Sequence, residues 1–555
     1  MRISEFRFQI PDCVRTCLIA WALAGSASAG EKPIAIPPPP TAEQLAAIRS
    51  FGAEEPVIAT HYFYWYRWPD EHFFDDAAHS DTALRHHFPN QRAVSFQSGA
   101  WHQRQMRDLL AAGIDVALCV YWGAPNQYDK QGLSFSVLGL PPLVTAVDEL
   151  DHAGKAPRIG MFYDTSTLLG GLAYKEPGRG NVDLRTDEGK DIFYRTIRDF
   201  FCQIPPRHWA CIDGRPIVAL YDASFAAGHD QSTLEYTYEH FARDFAGRRP
   251  FIVTAPSWAF RADAKAGWGA ALNGPITGER VLQIGPGYDD SPVPERTTPT
   301  RDRLAGGFYA ASWLVALQAK PQMIFIETWS EMHEGTDICE SVEEGRFYID
   351  LTRRYAELFK KRQTPPVEEY AKVLTVLMNG QRSNPQGREF ASWLTLNCHV
   401  DATGKPAQEG LRLCGDIADG RFEITEQDGV PCVRTQPGVG THQYLYFDVA
   451  DPYYYDHHGS PSVRVTYFDE GREPIELQYD STDDTGAIRD RYKPASPPSA
   501  RDDSKAWKTA VVQLPGARLA NRQNGGADFR FLSRGHEMLI RRVEFSKLPD
   551  EYATR

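Results

Sequence analysis

Seven short apolar runs, separated by helical patterns, recur between residues 57 and 329 and constrain the fold more than any other feature of the sequence. They cover 57–66, 116–122, 158–163, 217–221, 251–255, 281–284 and 323–329. Each is rich in β-branched or aromatic residues, as strands buried on both faces should be. Helical patterns lie between them at 103–112, 142–153, 189–201, 303–319 and 343–361. An eighth strand is expected between Phe260 and Gly278, where the signal is poor. No glycine-rich nucleotide turn follows the first strand, which removes the commonest reason to prefer an open doubly wound sheet. The expected architecture is α/β, a (β/α)8 TIM barrel over residues 54–363.

The pattern changes after Thr364-Pro365-Pro366. Alternating strands are expected at 444–449, 463–467, 475–479, 509–514 and 540–545. In the second of these, Val463, Val465 and Tyr467 face one way and Arg464 and Thr466 the other. Residues 367–555 therefore read as a β-sandwich of the jelly-roll kind, either glycan-binding or structural. Its Tyr444, Tyr446 and Tyr453-Tyr454-Tyr455 could stack on sugar, with packing as the default role.

Residues 1–29 read as a signal peptide. Arg2, Arg7 and Arg15 precede an apolar run, too short to span a membrane, that ends in Ala27-Ser28-Ala29. Export to the periplasm or exterior is expected, with no integral membrane segment after cleavage. Residues 30–53 form a linker stiffened by Pro33 and Pro37 to Pro40, then a short helix capped by Thr41 with Gln44 three residues on.

The formal charge of -13 disfavours phosphate backbones, so no nucleic-acid partner is expected. Beyond the leader lie Cys119, Cys202, Cys211, Cys339, Cys398, Cys414 and Cys432, an odd set without zinc spacing. Cys202 and Cys211 are the easiest pair to propose for a disulfide, and two buried free thiols are the alternative. His86 and His87 have no acidic or cysteine partner at ligand spacing, and neither a metal nor a cofactor is expected.

In a barrel the reacting groups sit just beyond the strands' C-terminal edges. Those edges offer Tyr64 and Trp65, Tyr121 and Trp122, Tyr163 and Asp164, Tyr221 and Asp222, Trp258, Tyr288 and Asp289, and Trp329. Aromatics paired with carboxylates suit a cleft for an oligo- or polysaccharide. Asp164 and Asp222 could equally cap the helices that follow. Glu327, inside the last strand, is expected to face the cleft or to pair with an arginine.

Glu331 and Glu334, three apart after the last strand, project from one side if the chain turns helically there. Hydrolysis of a glycosidic bond needs such a carboxyl pair, one protonated near the leaving oxygen. Like charges held close drive two pKa values apart. His333 between them is a candidate to bind substrate or tune Glu334, and a structural histidine otherwise.

The stretch from Ser330 to Ile338, Ser-Glu-Met-His-Glu-Gly-Thr-Asp-Ile, resembles the N-E-W-H-E-G-T-x-I signature of glycoside hydrolase family 99, the endo-α-mannosidases and endo-α-mannanases. Pro286-Gly287-Tyr288-Asp289-Asp290 and Tyr62-Phe63-Tyr64-Trp65-Tyr66 resemble that family's corresponding segments. Ala112-Gly113-Ile114-Asp115-Val116-Ala117 and Tyr121-Trp122-Gly123 bring the chain closer still to bacterial relatives grouped as domain of unknown function family 5010. The resemblance implies that Glu334 is the general acid/base. It also implies that Glu331 is the base on the sugar's 2-hydroxyl, giving retention through a 1,2-anhydro intermediate. Ser330 and Met332 depart from the signature's Asn and Trp. A glycan-binding protein on a degenerate barrel, and a lyase or transglycosylase using the same pair, are the alternatives.

Overall fold

The computed structural model describes residues 34–548 apart from 70–83, 126–127, 129–133, 152–154, 171–179, 294–295, 297–298, 380–389, 392, 394, 416, 438–441 and 484–487. The expected leader lies outside the described residues. So do parts of the sequence between the first strand and Leu84.

The N-terminal unit is built on a ten-stranded sheet. Its parallel strands are β1 (Val57–Tyr62), β2 (Val116–Tyr121), β3 (Arg158–Tyr163), β4 (Arg215–Leu220), β5 (Phe251–Thr254), β6 (Ala264–Lys265), β7 (Val281–Ile284) and β8 (Met323–Ile326). Short strands Cys211–Ile212 and Ile276–Thr277 add antiparallel to β4 and β7. Neighbours follow chain order from β1 to β6, and β1 also pairs with β8, which pairs with β7. The two ends of the path meet at a parallel bridge between Lys265 and Arg280, so the sheet curls round on itself. β6, at two residues, lies in the stretch where the sequence signal is poor.

Each strand from β1 to β3 is buried along almost its whole length, which is why these runs read as apolar without alternation. Helices Gly99–Ala111, Leu140–Leu150, Asp187–Cys202, Gln231–Asp244, Gly307–Ala319 and Phe347–Lys360 connect and cover the strands. Ser98 and Thr186 cap two of them through side-chain oxygens. The packing of this unit runs on past residue 363. Helix Val367–Asn379 lies against helix Gly307–Ala319, and its Val373 belongs to the N-terminal core.

Residues 396–546 form two antiparallel sheets of seven and five strands. Val463 and Val465 of one sheet share a core with Leu445 and Phe447 of the other. Tyr453 and Tyr454 are fully buried, so both serve packing. Tyr444 is half-buried beneath the Arg530 guanidinium, 4.2 Å from its ring centre.

Cys202 and Cys211 are free, as are the other described cysteines. Cys202 ends a helix and Cys211 lies on a strand, and burial pushes both thiols up to about 12. Among the described residues no helix is long and apolar enough to cross a membrane.

Candidate active site

The segment after β8 carries both glutamates and is held by hydrogen bonds to the chain after β1. The Trp329 indole donates to Gln105 Oε1 (2.7 Å), and the Ser330 hydroxyl to Phe63 O (2.6 Å). The Tyr66 hydroxyl donates to Ser330 O (2.9 Å) and accepts from Met332 N (2.9 Å). A turn follows over 332–335, with Gly335 at φ 55°. A Cβ there would come within 3.0 Å of Arg85 Cγ and 3.3 Å of Asp289 O, so glycine is required both by space and by the left-handed backbone. Asp289 N donates to Glu334 O (2.8 Å), which ties the Tyr288–Asp290 segment to the turn.

Glu331 is 5% exposed, and its Oε1 lies 2.9 Å from His333 Nδ1. Burial pushes its carboxyl up to about 8, opposed by the positive charge of Arg296. The Glu334 side chain is 27% exposed, and its Oε1 accepts from Arg296 Nη1 (2.8 Å). Its pKa is also raised by burial, with Arg296 lowering it and Glu331 raising it. One guanidinium thus faces two carboxyls that repel each other's ionised form.

The predicted aromatics divide into two sets. Tyr64, Tyr121, Tyr163, Trp258 and Trp329 are buried in the core. Tyr64 donates to Ser136 O (2.7 Å), Tyr121 accepts from Gln203, and Trp258 donates to Tyr221 O (2.6 Å). Their rings fill the space between sheet and helices, which corrects their assignment as sugar platforms. Trp65, Trp122, Tyr221 and Tyr288 are half-buried. Trp65 lies edge-on to Trp122 (5.3 Å between ring centres) and 5.9 Å from the His333 ring, which puts Trp65 beside the histidine that contacts Glu331.

Asp164 accepts from Ser166 N and from the Trp122 indole, and Asp222 from Ser224 N. Both therefore cap short 3-10 turns, and Asp164 also orients Trp122. Asp289 accepts from Arg85 Nε (2.9 Å) and Ser291 N (2.9 Å), roles that hold its loop. His333 stacks on Tyr66 with its ring 16° from parallel.

Glu327 accepts from Gly269 N (2.9 Å), Ala270 N (2.8 Å) and Gln283 Nε2 (3.1 Å). Its partners are amides, not the arginine that the sequence reading offered. Burial lifts its carboxyl to about 8 against those donors. The loop it anchors carries Trp268, half-buried and stacked on Phe162 (5.3 Å, 6° between planes), with Tyr221 5.1 Å away. Trp268 and Arg296 are site residues that strand-edge reasoning missed, while Tyr66 lies in the aromatic run at the end of the first strand. Trp268 falls in the stretch of poor signal, and Arg296 lies beyond the Tyr288–Asp290 segment, where one arginine among many carries no mark.

Glu331 and Glu334 thus stand just beyond β8 of a curled parallel sheet, with the half-buried Trp65 close to His333 between them. Residues 49–368 match the model of the family described as Domain of unknown function (DUF5010), and the chain belongs to that family. A stretch of 98 residues is 34% identical to the glycoprotein endo-alpha-1,2-mannosidase of Mus musculus, covering 15% of this chain and 21% of that protein. The human glycoprotein endo-alpha-1,2-mannosidase-like protein is 32% identical over the same length, with the same coverage. The match thus spans about a fifth of these relatives' length. Among solved structures, the GH99 endo-alpha-mannosidase from Bacteroides thetaiotaomicron aligns over 56% of this chain and 98% of its own, with 15% identity and a TM-score of 0.40. The resemblance read from the Ser330–Ile338 stretch is borne out.

Proposed function

We propose that the chain is an exported glycoside hydrolase that cleaves an α-linked glycan with retention, using Glu331 and Glu334. The observation that carries this reading is the buried Glu331 carboxyl and the partly exposed Glu334 carboxyl under the Arg296 guanidinium, with Trp65 and Trp122 edge-on to each other beside His333. We read the curled sheet as a (β/α)8 barrel closed at Lys265–Arg280, and the two C-terminal sheets as a β-sandwich. The leader pattern of residues 1–29 supports export. The activity for which the mannosidase relatives are named makes α-mannosides the first substrates to try.

In the mechanism, Glu331 as carboxylate takes the proton of the sugar's 2-hydroxyl, whose oxygen attacks the anomeric carbon. Glu334 protonates the departing glycosidic oxygen in the same step. Water then opens the 1,2-anhydro sugar, giving its proton to Glu334 while Glu331 returns its own to O2. Two inversions leave the configuration retained. The first step needs Glu334 protonated and Glu331 ionised. A substrate oxygen that enters between Arg296 and Glu334 loosens the ion pair and favours a protonated Glu334.

The test is a panel of α- and β-linked oligosaccharides given to the wild-type chain and to Glu334→Ala. Cleavage of an α-linked member, lost by at least about a hundredfold in the variant, is expected. Equal cleavage by both would remove Glu334 from the chemistry. Micromolar binding without any cleavage would make the chain a glycan-binding protein instead.

A further inference from the structure

Where the C-terminal unit meets the segment beyond Glu334, three chain regions bring ligating side chains together. His86 follows Arg85 on the loop beside Gly335, Glu344 lies beyond Asp337, and His457 comes from the C-terminal unit. One ligand atom from each lies within 4.8 Å of the other two, and all three residues are buried. They are 2%, 2% and 3% exposed.

Two atoms of this cluster, His457 Nε2 and Glu344 Oε2, are buried with no hydrogen-bond partner among the described residues. A buried polar atom left unsatisfied is costly, and each such atom calls for an explanation. His86 Nδ1 lies 2.7 Å from Asp337 Oδ1. A carboxylate that holds one ring nitrogen fixes the tautomer and presents the other nitrogen to an ion. Glu344 Oε1 lies 3.1 Å from His457 Nδ1, so the two side chains already face each other.

Opposing charges are present: Arg85, Arg303 and Lys547 all act on His457, and Arg303 comes nearest to Glu344. Arg303 Nη1 lies 3.8 Å from Glu344 Oε1. Its guanidinium is held elsewhere, by Gly335 O (2.8 Å) and Asp337 O (2.7 Å), and sits 3.4 Å from the Asp337 carboxylate. That carboxylate offsets the arginine and leaves Glu344 for a cation.

We infer that His86, Glu344 and His457 form a divalent-cation site of the zinc type, tying the C-terminal unit to the segment that carries the glutamate pair. Two imidazoles and one carboxylate are a borderline-soft donor set that suits zinc and its neighbours over calcium or magnesium. Tetrahedral zinc places its ligand atoms about 3.3 Å apart, so a set within 4.8 Å needs contraction and no change of fold. Close packing across the same junction favours a structural ion. His458 N donates to Glu343 O (2.9 Å), and the His458 ring stacks on Phe347 at 4.0 Å. The site stands apart from the proposed glycan cleavage, and its test does not read activity.

The full chain, produced without a histidine tag, is dialysed against zinc and freed of loose metal on a chelating resin. Elemental analysis is expected to find about one zinc per chain, and absorption at the zinc edge a shell of nitrogen and oxygen with two imidazoles. Stripping the metal should lower the Tm, and zinc alone should restore it. His457→Asn should bind zinc at least about tenfold more weakly, while the exposed His536→Ala binds as the wild type does. Less than about a tenth of an equivalent of zinc in the wild type, or undiminished binding by His457→Asn, would overturn the site and leave a buried water as the partner of these atoms. Should His457→Asn fail to fold, the wild-type edge spectrum decides, because sulfur ligation or a single imidazole excludes this set.

Discussion

Arg296 Nη1 lies 2.8 Å from Glu334 Oε1, and the same guanidinium also acts on the buried Glu331 carboxyl. One cation therefore lowers the pKa of both acids against the burial that raises them.

Replacing that cation moves the titration of the pair. Arg296 lowers both carboxyl pKa values, so Arg296→Met raises both. The pH–rate profile of glycan cleavage is expected to shift upward by about one unit or more, with both limbs moving together. A profile that keeps its position would place Arg296 outside the pair's electrostatics.

Glu331 also makes stability depend on pH. Burial lifts its folded pKa to about 8, above the ordinary carboxylate value of 4.5. Below about pH 4.5 both states hold the proton and nothing is lost. As pH rises toward 8 the unfolded chain ionises while the folded one does not, so the native state loses stability. The isosteric Glu331→Gln has no such loss. Denaturant unfolding should find it more stable than wild type by about 4 kcal/mol at pH 8 and nearly equal to it near pH 4.5. Equal stability of the two chains at pH 8 would mean that Glu331 ionises freely in the folded state.

The two sets of aromatics should separate in kinetics. Trp258 is 2% exposed and donates to Tyr221 O, so Trp258→Phe loses a hydrogen bond and costs about 1 kcal/mol of stability. Its KM should stay within about twofold of wild type, since the ring is out of a sugar's reach. Trp268→Leu removes a half-buried face and should lower kcat/KM by about tenfold or more. The reverse pattern would exchange the two residues' roles.

The parallel strands are legible in the sequence because burial on both faces leaves each run apolar. β6 is not, because two residues cannot carry a period. The glutamate pair is legible from its place after the last strand. The division of the aromatics is not, because Trp258 and Trp65 both sit at strand ends and differ only in which helices cover them. Arg296 and Trp268 acquire their meaning from partners distant in the chain, Glu334 at 38 positions' distance and Phe162 on β3. His86 illustrates the same limit. Neighbours in the chain offer it no ligand partner, and the fold supplies Asp337, Glu344 and His457.

The most direct measurement compares leaving groups. Wild type, Glu331→Gln and Glu334→Gln are each given a natural α-linked oligosaccharide and its aryl glycoside with an activated phenol. An activated phenol departs without protonation, so Glu334→Gln should lose the first substrate and keep a large share of its rate on the second. Glu331→Gln should lose both, because its task precedes departure. Full activity of either variant on the natural oligosaccharide would contradict catalysis by this pair of glutamates.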